Sequence, residues 1–389
     1  MAEYKGINRM KRILHINSYS VYNQLFSNLY MEQKQQGIDF NVYEFAAKNT
    51  EKNAVPIPND LLENVIRDYN HPSWYRYFYP IKHEIVYNSC KKAIPHLSDY
   101  SLVHAHSLFS NGYISYKIKK EYGIPYFVTV RNTDVNDFFR RIPILTPHGI
   151  KILMESDRII YLSKAYRDTV MEMYVPKRYR EILLAKSEII PNGIDRFWHE
   201  HTFEREDWTI GNNLNILTIG AINSNKNQLA IAQALQFVMQ LGYTVSYTLI
   251  GKVEDETVGH ALQQYPFVVI KASKPKEELI KYYRNADIFA LVSKTESFGL
   301  VYAEALSQSL PILYTEKQGF DKQFEDGFIG YPTKTDPRSI ADGIMRIIKH
   351  YAEIIPRCVP ASGRFNWESI AAYYRTLYDR ILGTLSDDA

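Results

Sequence analysis

The sequence predicts an α/β protein with two Rossmann-like domains, each built from a parallel sheet covered by helices. Short apolar runs of strand length alternate with segments of helical period in both halves of the chain. At 389 residues the chain is long enough for two domains. The alternation stops near residues 195–208 and restarts at Asn215, which places a domain boundary between those points.

The individual elements follow from the same apolar runs and helical periods. In the first half we expect strands at 12–16, 40–45, 102–105, 126–130, 158–162 and 188–190, and helices at 23–35 and 81–94. In the second half we expect strands at 215–220, 245–251, 267–270, 288–292 and 311–314. Residues 56–80 are aromatic and are expected to be irregular. The predicted domains are 1–196 and 197–366, and a final helix lies in 367–389.

Composition favours a protein without membrane spans or a disulfide framework. No apolar run approaches the roughly 18 residues that suggest a membrane span. The start of the chain is polar and lacks the apolar core of a signal peptide. Cys90 and Cys358 fall in different predicted domains, so they favour a reducing cytoplasm.

The net charge of +3 hides a difference between the two domains. Residues 1–196 hold 27 Lys and Arg against 20 Asp and Glu, a net +7, whereas the remainder carries a net −4. Basic side chains concentrate at 117–120, 139–141 and 177–180. These clusters are either solvated helix faces or a surface for anionic lipid, to which the aromatic stretch 74–79 could also belong unless it is simply packed. No motif or strongly basic domain indicates nucleic acid.

A carboxylate stands at a predicted strand-to-helix turn in the second half. The apolar run 288–292 has the character of a buried strand, and Glu296 follows it at the start of a helix expected to run to about Ser309. Glu304 lies eight residues on, about two turns along that helix. A helix N-terminus attracts phosphate, whereas an acid placed there would repel it. An acid at this position is therefore expected to accept hydrogen bonds from sugar hydroxyls. The pair suggests a ligand in which a sugar is joined to a diphosphate.

This segment resembles the signature of retaining nucleotide-sugar glycosyltransferases of family 4, in which seven residues separate two glutamates. The segment 187–195 resembles the interdomain crossing of that family, and 156–163 resembles the strand before it. Segments 102–106 and 124–130 fit two strands of the amino-terminal domain, and 366–370 fits the start of the closing helix. The matches span about residues 12 to 382, in the order and spacing of the family.

The resemblance implies the GT-B fold, in which two Rossmann-like domains face a central cleft and a C-terminal helix crosses back to the first domain. It implies that the first domain binds the acceptor and the second a nucleoside-diphosphate sugar. Glu296 would accept hydroxyls of the donor sugar, and Glu304 would accept the ribose hydroxyls. The backbone amides of Phe298, Gly299 and Leu300 would lie near the diphosphate.

A second candidate phosphate-binding loop follows the predicted strand 215–220. In the family this loop carries an Arg and a Lys that hold the diphosphate. Lys226 matches the Lys, whereas Ala221 stands where the Arg is expected. Gly220 and Asn223 are assigned to the same donor site; Asn223 or Asn225 could donate hydrogen bonds, or the missing cation could come from elsewhere. The alternative for Lys226 is a solvated loop lysine.

Polar residues also follow strands of the first domain. Arg131 stands where similar enzymes usually have a His that faces the reacting carbon. Its guanidinium could bind the diphosphate or an anionic acceptor, or it could form a structural salt bridge to Asp134 or Asp137. Asp134 could contact the donor or the acceptor sugar.

We expect the catalytic residues to be Glu296, Arg131, Asp134 and His106. Asn17 is expected at the donor site, although a capped turn for Asn17 and a hydrogen-bonded structural role for His106 are the alternatives. Lys271 and Ala272 sit where a nucleobase often lies in similar proteins.

The sequence shows no metal signature, since it has neither a paired Asp motif nor a tight His/Cys cluster. We therefore expect no metal and no cofactor beyond the donor substrate. The prediction is a retaining, metal-independent glycosyltransferase that acts on a glycan or lipid-linked acceptor in surface polysaccharide biosynthesis. It is expected in the cytoplasm, where the basic first domain could contact the inner face of the cell membrane. The alternatives are a sugar-nucleotide epimerase of GT-B architecture and an inactive sugar-nucleotide-binding partner subunit.

Overall fold

The chain folds into two compact units, each containing one parallel sheet. A computed structural model gives the structure of residues 11–74 and 78–383. The first unit takes the chain up to Leu162, then Val170–Ile190, and then the part that begins at Trp367. The second unit takes Ser163–Thr169 and Pro191–Asn366. The predicted α/β class with two Rossmann-like sheets is confirmed.

The first unit contains a seven-stranded sheet whose strands are β1 (Arg12–Asn17), β2 (Asp39–Ala47), β3 (Val65–His71), β4 (Leu102–Ala105), β5 (Tyr126–Val130), β6 (Arg158–Tyr161) and β7 (Ser187–Ile189). Their spatial order is β3-β2-β1-β4-β5-β6-β7. The helices in this part of the chain are α1 (Leu25–Gln35), α2 (Tyr79–Ala93), α3 (Ser110–Tyr122), α4 (Thr146–Glu155), α5 (Lys164–Met173) and α6 (Lys177–Ala185).

The second unit contains a six-stranded sheet whose strands are β8 (Asn213–Ile219), β9 (Thr244–Ile250), β10 (Val268–Lys271), β11 (Ile288–Ala290), β12 (Ile312–Thr315) and β13 (Gly330–Thr333). Their spatial order is β10-β9-β8-β11-β12-β13. The helices are α7 (Arg196–Glu200), α8 (Gln228–Gln240), α9 (Glu256–Gln263), α10 (Lys276–Asn285), α11 (Leu300–Ser307), α12 (Pro337–Lys349) and α13 (Tyr351–Ser362). A last helix, α14 (Trp367–Ile381), returns to the first unit.

The central strands form because their apolar runs are covered on both faces. All residues of β4, β5, β11 and β12 are buried. Strands buried on both sides have continuous rather than alternating apolar residues, as expected for parallel sheets. This pattern explains why the central strands were predicted close to their true bounds.

Helix α14 packs against the first sheet through one aromatic face. Trp367, Tyr374 and Tyr378 join a single apolar cluster with Phe26 of α1 and residues of the strands. The Gln33 Nε2 atom donates a hydrogen bond of 2.7 Å to the Tyr378 hydroxyl, which satisfies two polar groups in this core. The C-terminal helix therefore belongs to the first unit, as the fold class predicted.

Three elements differ from the predictions. Strand β3 lies inside the segment expected to be irregular; its sequence is polar, and six of its seven residues are only half-buried. Strand β13 was missed because it is short and contains Gly and Pro. Helix α11 begins at Leu300, so Glu296 lies in the loop before the helix rather than in its first turn.

The unit boundary also differs from the predicted division after residue 196. The segment from Pro191 belongs to the second unit, where the amide of Ile194 donates to the carbonyl of Phe365 at 2.8 Å. Residues 163–169 belong there as well, and Asp168 pairs with Lys322 at 3.3 Å. Contacts between residues that are far apart in the sequence decide this boundary, and such contacts cannot be predicted from composition.

Each sheet reverses its strand order at one point, between β1 and β4 in the first and between β8 and β11 in the second. Ligands of open α/β sheets bind beyond the carboxyl ends of the strands at such a switch point. The loops after β8 and β11 are therefore where the second unit is expected to hold a ligand. Within the described ranges, no helix is both long and apolar enough to cross a membrane.

Candidate functional site

The loops that follow β8 and β11 are joined by one asparagine. The Asn225 side chain donates to the carbonyl of Thr295 at 3.0 Å and accepts from the amide of Thr295 at 3.1 Å. Its carbonyl also accepts from the amide of Lys294 at 2.8 Å. These bonds hold the two loops side by side, although their sequences are 70 residues apart.

Lys226 and Glu296 meet where these loops touch. The Lys226 Nζ atom lies 2.6 Å from Glu296 Oε2, and the Ser293 hydroxyl donates to the same oxygen at 3.2 Å. Glu296 Oε1 accepts from the amide of Ser297 at 3.1 Å. The Glu296 side chain is only 9% exposed and the Lys226 side chain 23%. The structure thus brings the two principal residues of the predicted donor site into one ion pair.

This arrangement can bind a ligand that carries both anionic and hydroxyl groups. An ammonium offers three donors, of which Glu296 uses one, so oxygens of a phosphate can take the others. A carboxylate has about four acceptor positions, and those left over can accept sugar hydroxyls. The pair therefore presents a cation and an acceptor side by side in a partly desolvated place.

Gly299 precedes the first helical residue, Leu300, and gives the loop its sharp entry into α11. Its φ of 74° is left-handed, a conformation that favours glycine. A Cβ at this position would overlap the ring of Tyr302. The side chain of Phe298 is buried in the core, so the predicted contact with a diphosphate involves only its backbone amide. The amides at the start of α11 are the groups suited to an anion.

The loop after β8 has its own internal bonds. The Asn223 side chain accepts from the amide of Lys226 at 2.9 Å and donates to Glu254 at 2.9 Å. Both ends of the Asn223 amide are thus engaged in shaping the loop. Gly220 has a φ of 148°. A Cβ on Gly251 would overlap the Gly220 carbonyl, so the backbones after β8 and β9 approach more closely than a side chain would allow.

A pocket of about 190 Å³ lies beside this loop. It is lined by the ends of β8 and β9 and by residues after β10: Ile219, Gly220, Ala221, Ile250, Gly251, Lys252, Ser273, Lys274 and Leu279. Lys271 and Ala272 immediately precede its wall in sequence, and Lys271 Nζ lies 5.7 Å from the ring centre of Tyr282. Their predicted contact with a nucleobase stays a prediction.

Glu304 lies in α11 and accepts a hydrogen bond of 2.9 Å from the hydroxyl of Tyr283. Burial raises the pKa of Glu304 to about 7, and the nearby charge of Asp195 acts in the same direction. The Tyr283 hydrogen bond and the charge of Lys276 oppose that rise. A carboxyl group at this pKa changes its charge near neutral pH, which is unusual for a surface glutamate.

In the first unit, Asp134 organises a loop. It accepts hydrogen bonds from the backbone amides of Leu108, Phe109 and Arg131 at 3.0, 3.0 and 2.8 Å. Burial raises the pKa of Asp134 to about 6, against the lowering effect of these three bonds. A carboxylate surrounded in this way holds the backbone in place, and the catalytic role and sugar contact expected for Asp134 stay predictions.

Arg131 and His106 are tied together at the carboxyl ends of β5 and β4. The Arg131 Nε atom donates to the carbonyl of His106 at 2.7 Å, and its guanidinium lies 4.7 Å from the ring centre of Phe26. The structural salt bridge considered for Asp137 is formed by Arg141 instead, at 2.9 Å. The catalytic roles expected for Arg131 and His106 stay predictions.

Asn17 caps the turn after β1. Its Oδ1 atom accepts from the amide of Tyr19 at 2.9 Å and its Nδ2 atom donates to the hydroxyl of Tyr30 at 2.8 Å. These are the contacts of the capped turn that was the alternative to a donor-site role.

A buried histidine cluster was missed by the search for metal signatures. The ring nitrogens of His15, His104 and His106 lie within 4.8 Å of one another, and burial lowers the pKa of all three. The rings of His104 and His106 are stacked, with centroids 3.9 Å apart and planes at 26°. Nitrogen lone pairs lie in the ring plane, so stacked rings do not direct them to one ion. The charge of Arg131 also lowers the pKa of two of the rings and opposes a cation.

Several partners in the site gave no signal in the sequence. Gln318, in the loop after β12, accepts from the amide of Glu296 at 3.0 Å. Tyr283 of α10 bonds Glu304, and Ser293 bonds Glu296. The contacts of Gln318 and Tyr283 join residues 22 and 21 positions apart, which only the fold brings together, whereas Ser293 lies three positions from Glu296 in the same loop.

Two family models match the chain in succession. The model described as Glycosyltransferase Family 4 matches residues 24–196, and the model described as Glycosyl transferases group 1 matches residues 200–356. The first match covers most of the first sheet, and the second covers the sheet that carries Lys226 and Glu296.

Individual relatives and solved structures agree with these matches. An uncharacterized glycosyltransferase of Methanocaldococcus jannaschii is 22% identical over 72% of this chain and 75% of its own length. A capsular polysaccharide biosynthesis glycosyltransferase of Staphylococcus aureus is 26% identical over 43% of this chain and 47% of its own length. The sucrose-phosphate synthase of Thermosynechococcus elongatus has the same fold, with a TM-score of 0.71, 16% identity and coverage of 96% and 100%. An Anabaena protein solved in complex with UDP-glucose has a TM-score of 0.65, 14% identity and coverage of 96% and 100%.

Gly299→Ala is expected to destabilise the protein more than Gly37→Ala. Both glycines have left-handed φ angles, 74° and 72°, but a Cβ at Gly37 meets nothing within 4 Å. The strain alone costs about 1–2 kcal/mol. At Gly299 the Tyr302 ring blocks the Cβ and is anchored by a 2.5 Å hydrogen bond to Leu291, so about 1–3 kcal/mol is added. Urea unfolding of both variants measures this, and equal losses would show that the loop yields freely.

Glu304→Gln is expected to change how stability depends on pH. The folded pKa of about 7 lies above the ordinary 4.5 of the unfolded chain, so the stability this carboxyl contributes is complete below pH 4.5 and is lost as pH rises through 7. Gln keeps the acceptor for Tyr283 and has no proton to lose. The free energy of unfolding of Glu304→Gln minus that of the parent protein should be about 2 kcal/mol more positive at pH 8 than at pH 5. Urea unfolding tests this, with exposed Glu206→Gln as the control; a pH-independent difference would contradict it.

Proposed function

The chain is a family 4-like glycosyltransferase of the GT-B fold, and we propose that it transfers a sugar from a nucleoside-diphosphate sugar to a hydroxyl with retention of anomeric configuration. The acceptor is a glycan or a lipid-linked sugar, in polysaccharide biosynthesis. The observation that carries the proposal is the ion pair of Lys226 and Glu296 at the switch point of the second sheet. The capsular polysaccharide relative and the Anabaena structure with UDP-glucose support the class of acceptor and donor.

Each part of the donor has a group of matching chemistry. Lys226 binds the diphosphate together with the amides of Phe298, Gly299 and Leu300, because these are the positive groups at the start of α11. Glu296 accepts hydroxyls of the sugar. Glu304 accepts the ribose hydroxyls, while the Tyr283 hydroxyl orients its carboxyl group.

The proposed reaction uses the leaving group as its base. The acceptor hydroxyl attacks from the face on which the nucleotide departs, and its proton passes to the departing phosphate. Lys226 and the helix amides stabilise the charge that develops on that phosphate, so the reaction proceeds without a metal ion. No protein carboxylate has to remove a proton, which fits the engagement of Glu296 in its ion pair and of Asp134 in three backbone bonds.

The first unit contributes the acceptor side in this proposal. Arg131 and His106 end adjacent strands at the carboxyl edge of the first sheet, where an acceptor of an α/β domain binds. Arg131 would contact an anionic acceptor, and Asp134 acts as a positioning residue that fixes the backbone around it. The enzyme would work in the cytoplasm, at the inner face of the cell membrane.

Lys226→Met is expected to weaken binding of a nucleoside diphosphate and to leave nucleoside binding unchanged. Losing a hydrogen bond to a charged group costs about 1.5–3 kcal/mol, or roughly 10- to 150-fold in affinity. Calorimetry with UDP and uridine, then with the other bases, measures the effect. Lys294→Met is the matched control, since Lys294 is an exposed lysine in the neighbouring loop. Equal losses for both variants, or equal losses for nucleoside and diphosphate, would contradict the assignment.

Sugar transfer is expected to continue in excess EDTA, because the proposal assigns leaving-group stabilisation to Lys226 and the helix amides. Proton NMR of the product reports both the yield and the anomeric configuration, which should match that of the donor. Reversible loss of activity that magnesium or manganese restores would overturn the metal-independent reaction. Inversion at the anomeric carbon would overturn retention.

A further inference from the structure

We propose that one face of the first unit docks on the surface of an anionic lipid bilayer. The face, termed the apolar–basic face, comprises residues 78–82 at the start of α2, residues 140–144 before α4, and residues 173–184 at the end of α5 and in α6. The membrane would bring a lipid-linked acceptor to the first sheet, and this part of the proposal rests on the proposed function.

Ring contacts make these three segments neighbours. Tyr79 of α2 packs edge-on against Phe138, with centroids 5.8 Å apart. Phe139 stacks on Tyr174, with centroids 4.8 Å apart. Phe138 and Phe139 lie directly before the segment 140–144, and Tyr174 lies between α5 and α6. These ring contacts therefore hold the three segments side by side.

The three segments carry large apolar side chains that are exposed to solvent. Ile144 is 84% exposed, Met173 68%, Ile81 55% and Ile182 53%. Single exposed apolar side chains are ordinary on protein surfaces, whereas a concentration of them on neighbouring segments marks an interaction surface.

Cations accompany these apolar groups. Residues 78–82, 140–144 and 173–184 together hold six basic residues and one acidic residue. Lys177 and Arg178 occupy the first turn of α6, which has no acidic residue there. Positive charge at a helix N-terminus opposes the helix dipole and lowers stability, so the folding of α6 does not explain these two residues. Their placement does fit an anionic surface.

Exposed apolar side chains flanked by cations match the interface of an anionic membrane. The apolar side chains enter the boundary between headgroups and acyl chains, and the cations stay among the lipid phosphates. A second copy of the chain fits less well. A two-fold dimer through this face would place the same positive charges against each other. The occupant that the charge pattern favours is therefore an anionic bilayer.

The position of the face connects it to the site. Residues 140–144 follow the π-helical turn Asp134–Phe139, which itself begins directly after β5 and Arg131. A membrane bound to this face would lie beside the carboxyl edge of the first sheet. A lipid-linked sugar could then reach Arg131 without leaving the bilayer.

Vesicle flotation with the full chain tests the proposal in the absence of any donor. Binding is expected to vesicles of phosphatidylcholine with about 30% phosphatidylglycerol, and not to vesicles of phosphatidylcholine alone. Each basic residue at an anionic surface contributes about fivefold, or about 1 kcal/mol, so Lys177→Gln with Arg178→Gln should weaken binding about 25-fold. The control pair Arg338→Gln with Lys349→Gln removes the same charge from exposed positions of α12 and should leave binding unchanged. Equal weakening by both pairs, or no binding to anionic vesicles, would overturn the proposal.

The apolar part has its own pair of variants. Ile144→Ser should weaken vesicle binding about tenfold or more, whereas Leu241→Ser, also exposed but in the second unit, should have no effect. Binding of nucleoside diphosphate should be unchanged in all these variants, which separates failure of this proposal from failure of the donor site. A concentration-dependent dimer that Ile144→Ser abolishes would assign the face to self-association and overturn the membrane proposal.

Discussion

The reversal of strand order between β8 and β11 is the constraint from which the candidate site follows. The two strands are parallel neighbours, with Ile216 opposite Ile288, so the loops after them leave the sheet at the same edge. Glycines let the surrounding backbone close on these loops: a Cβ on Gly319 would overlap the carbonyl of Ser297, and the Gly319 amide donates to the carbonyl of Glu296 at 3.1 Å. Within this edge, Lys226 and Glu296 can pair only because the sheet has already placed their loops together.

The ion pair also explains how a nearly buried carboxylate is tolerated before a ligand arrives. Removing a charge from water is costly unless a partner and further hydrogen bonds compensate it. Glu296 has both a partner and further hydrogen bonds, because Lys226, the Ser293 hydroxyl and the Ser297 amide all donate to its carboxylate. A donor substrate would exchange some of these contacts for its own phosphates and hydroxyls. The groups are thus positioned in advance, and binding does not have to organise them.

Sequence patterns predicted the elements whose burial is complete and failed where polar or short segments join the sheet. Strands such as β5 and β12 have continuous apolar runs, so they were found near their true ends. The edge strand β3 has no such run, and β13 contains Gly and Pro. The same limit applies to the site. Glu296 could be chosen from its local sequence, whereas the loop-organising role of Asp134 depends on amides about 25 residues away.

A crystal structure of the protein with a nucleoside-diphosphate sugar, or a non-hydrolysable analogue, tests the central claim most directly. The account predicts a phosphate oxygen within about 3 Å of Lys226 Nζ and of the amides at the start of α11, with a sugar hydroxyl donating to Glu296. It also predicts the nucleoside beside the ends of β8 and β9. A nucleotide bound elsewhere, with Lys226 and Glu296 still paired only with each other, would contradict the assignment of this switch point as the donor site.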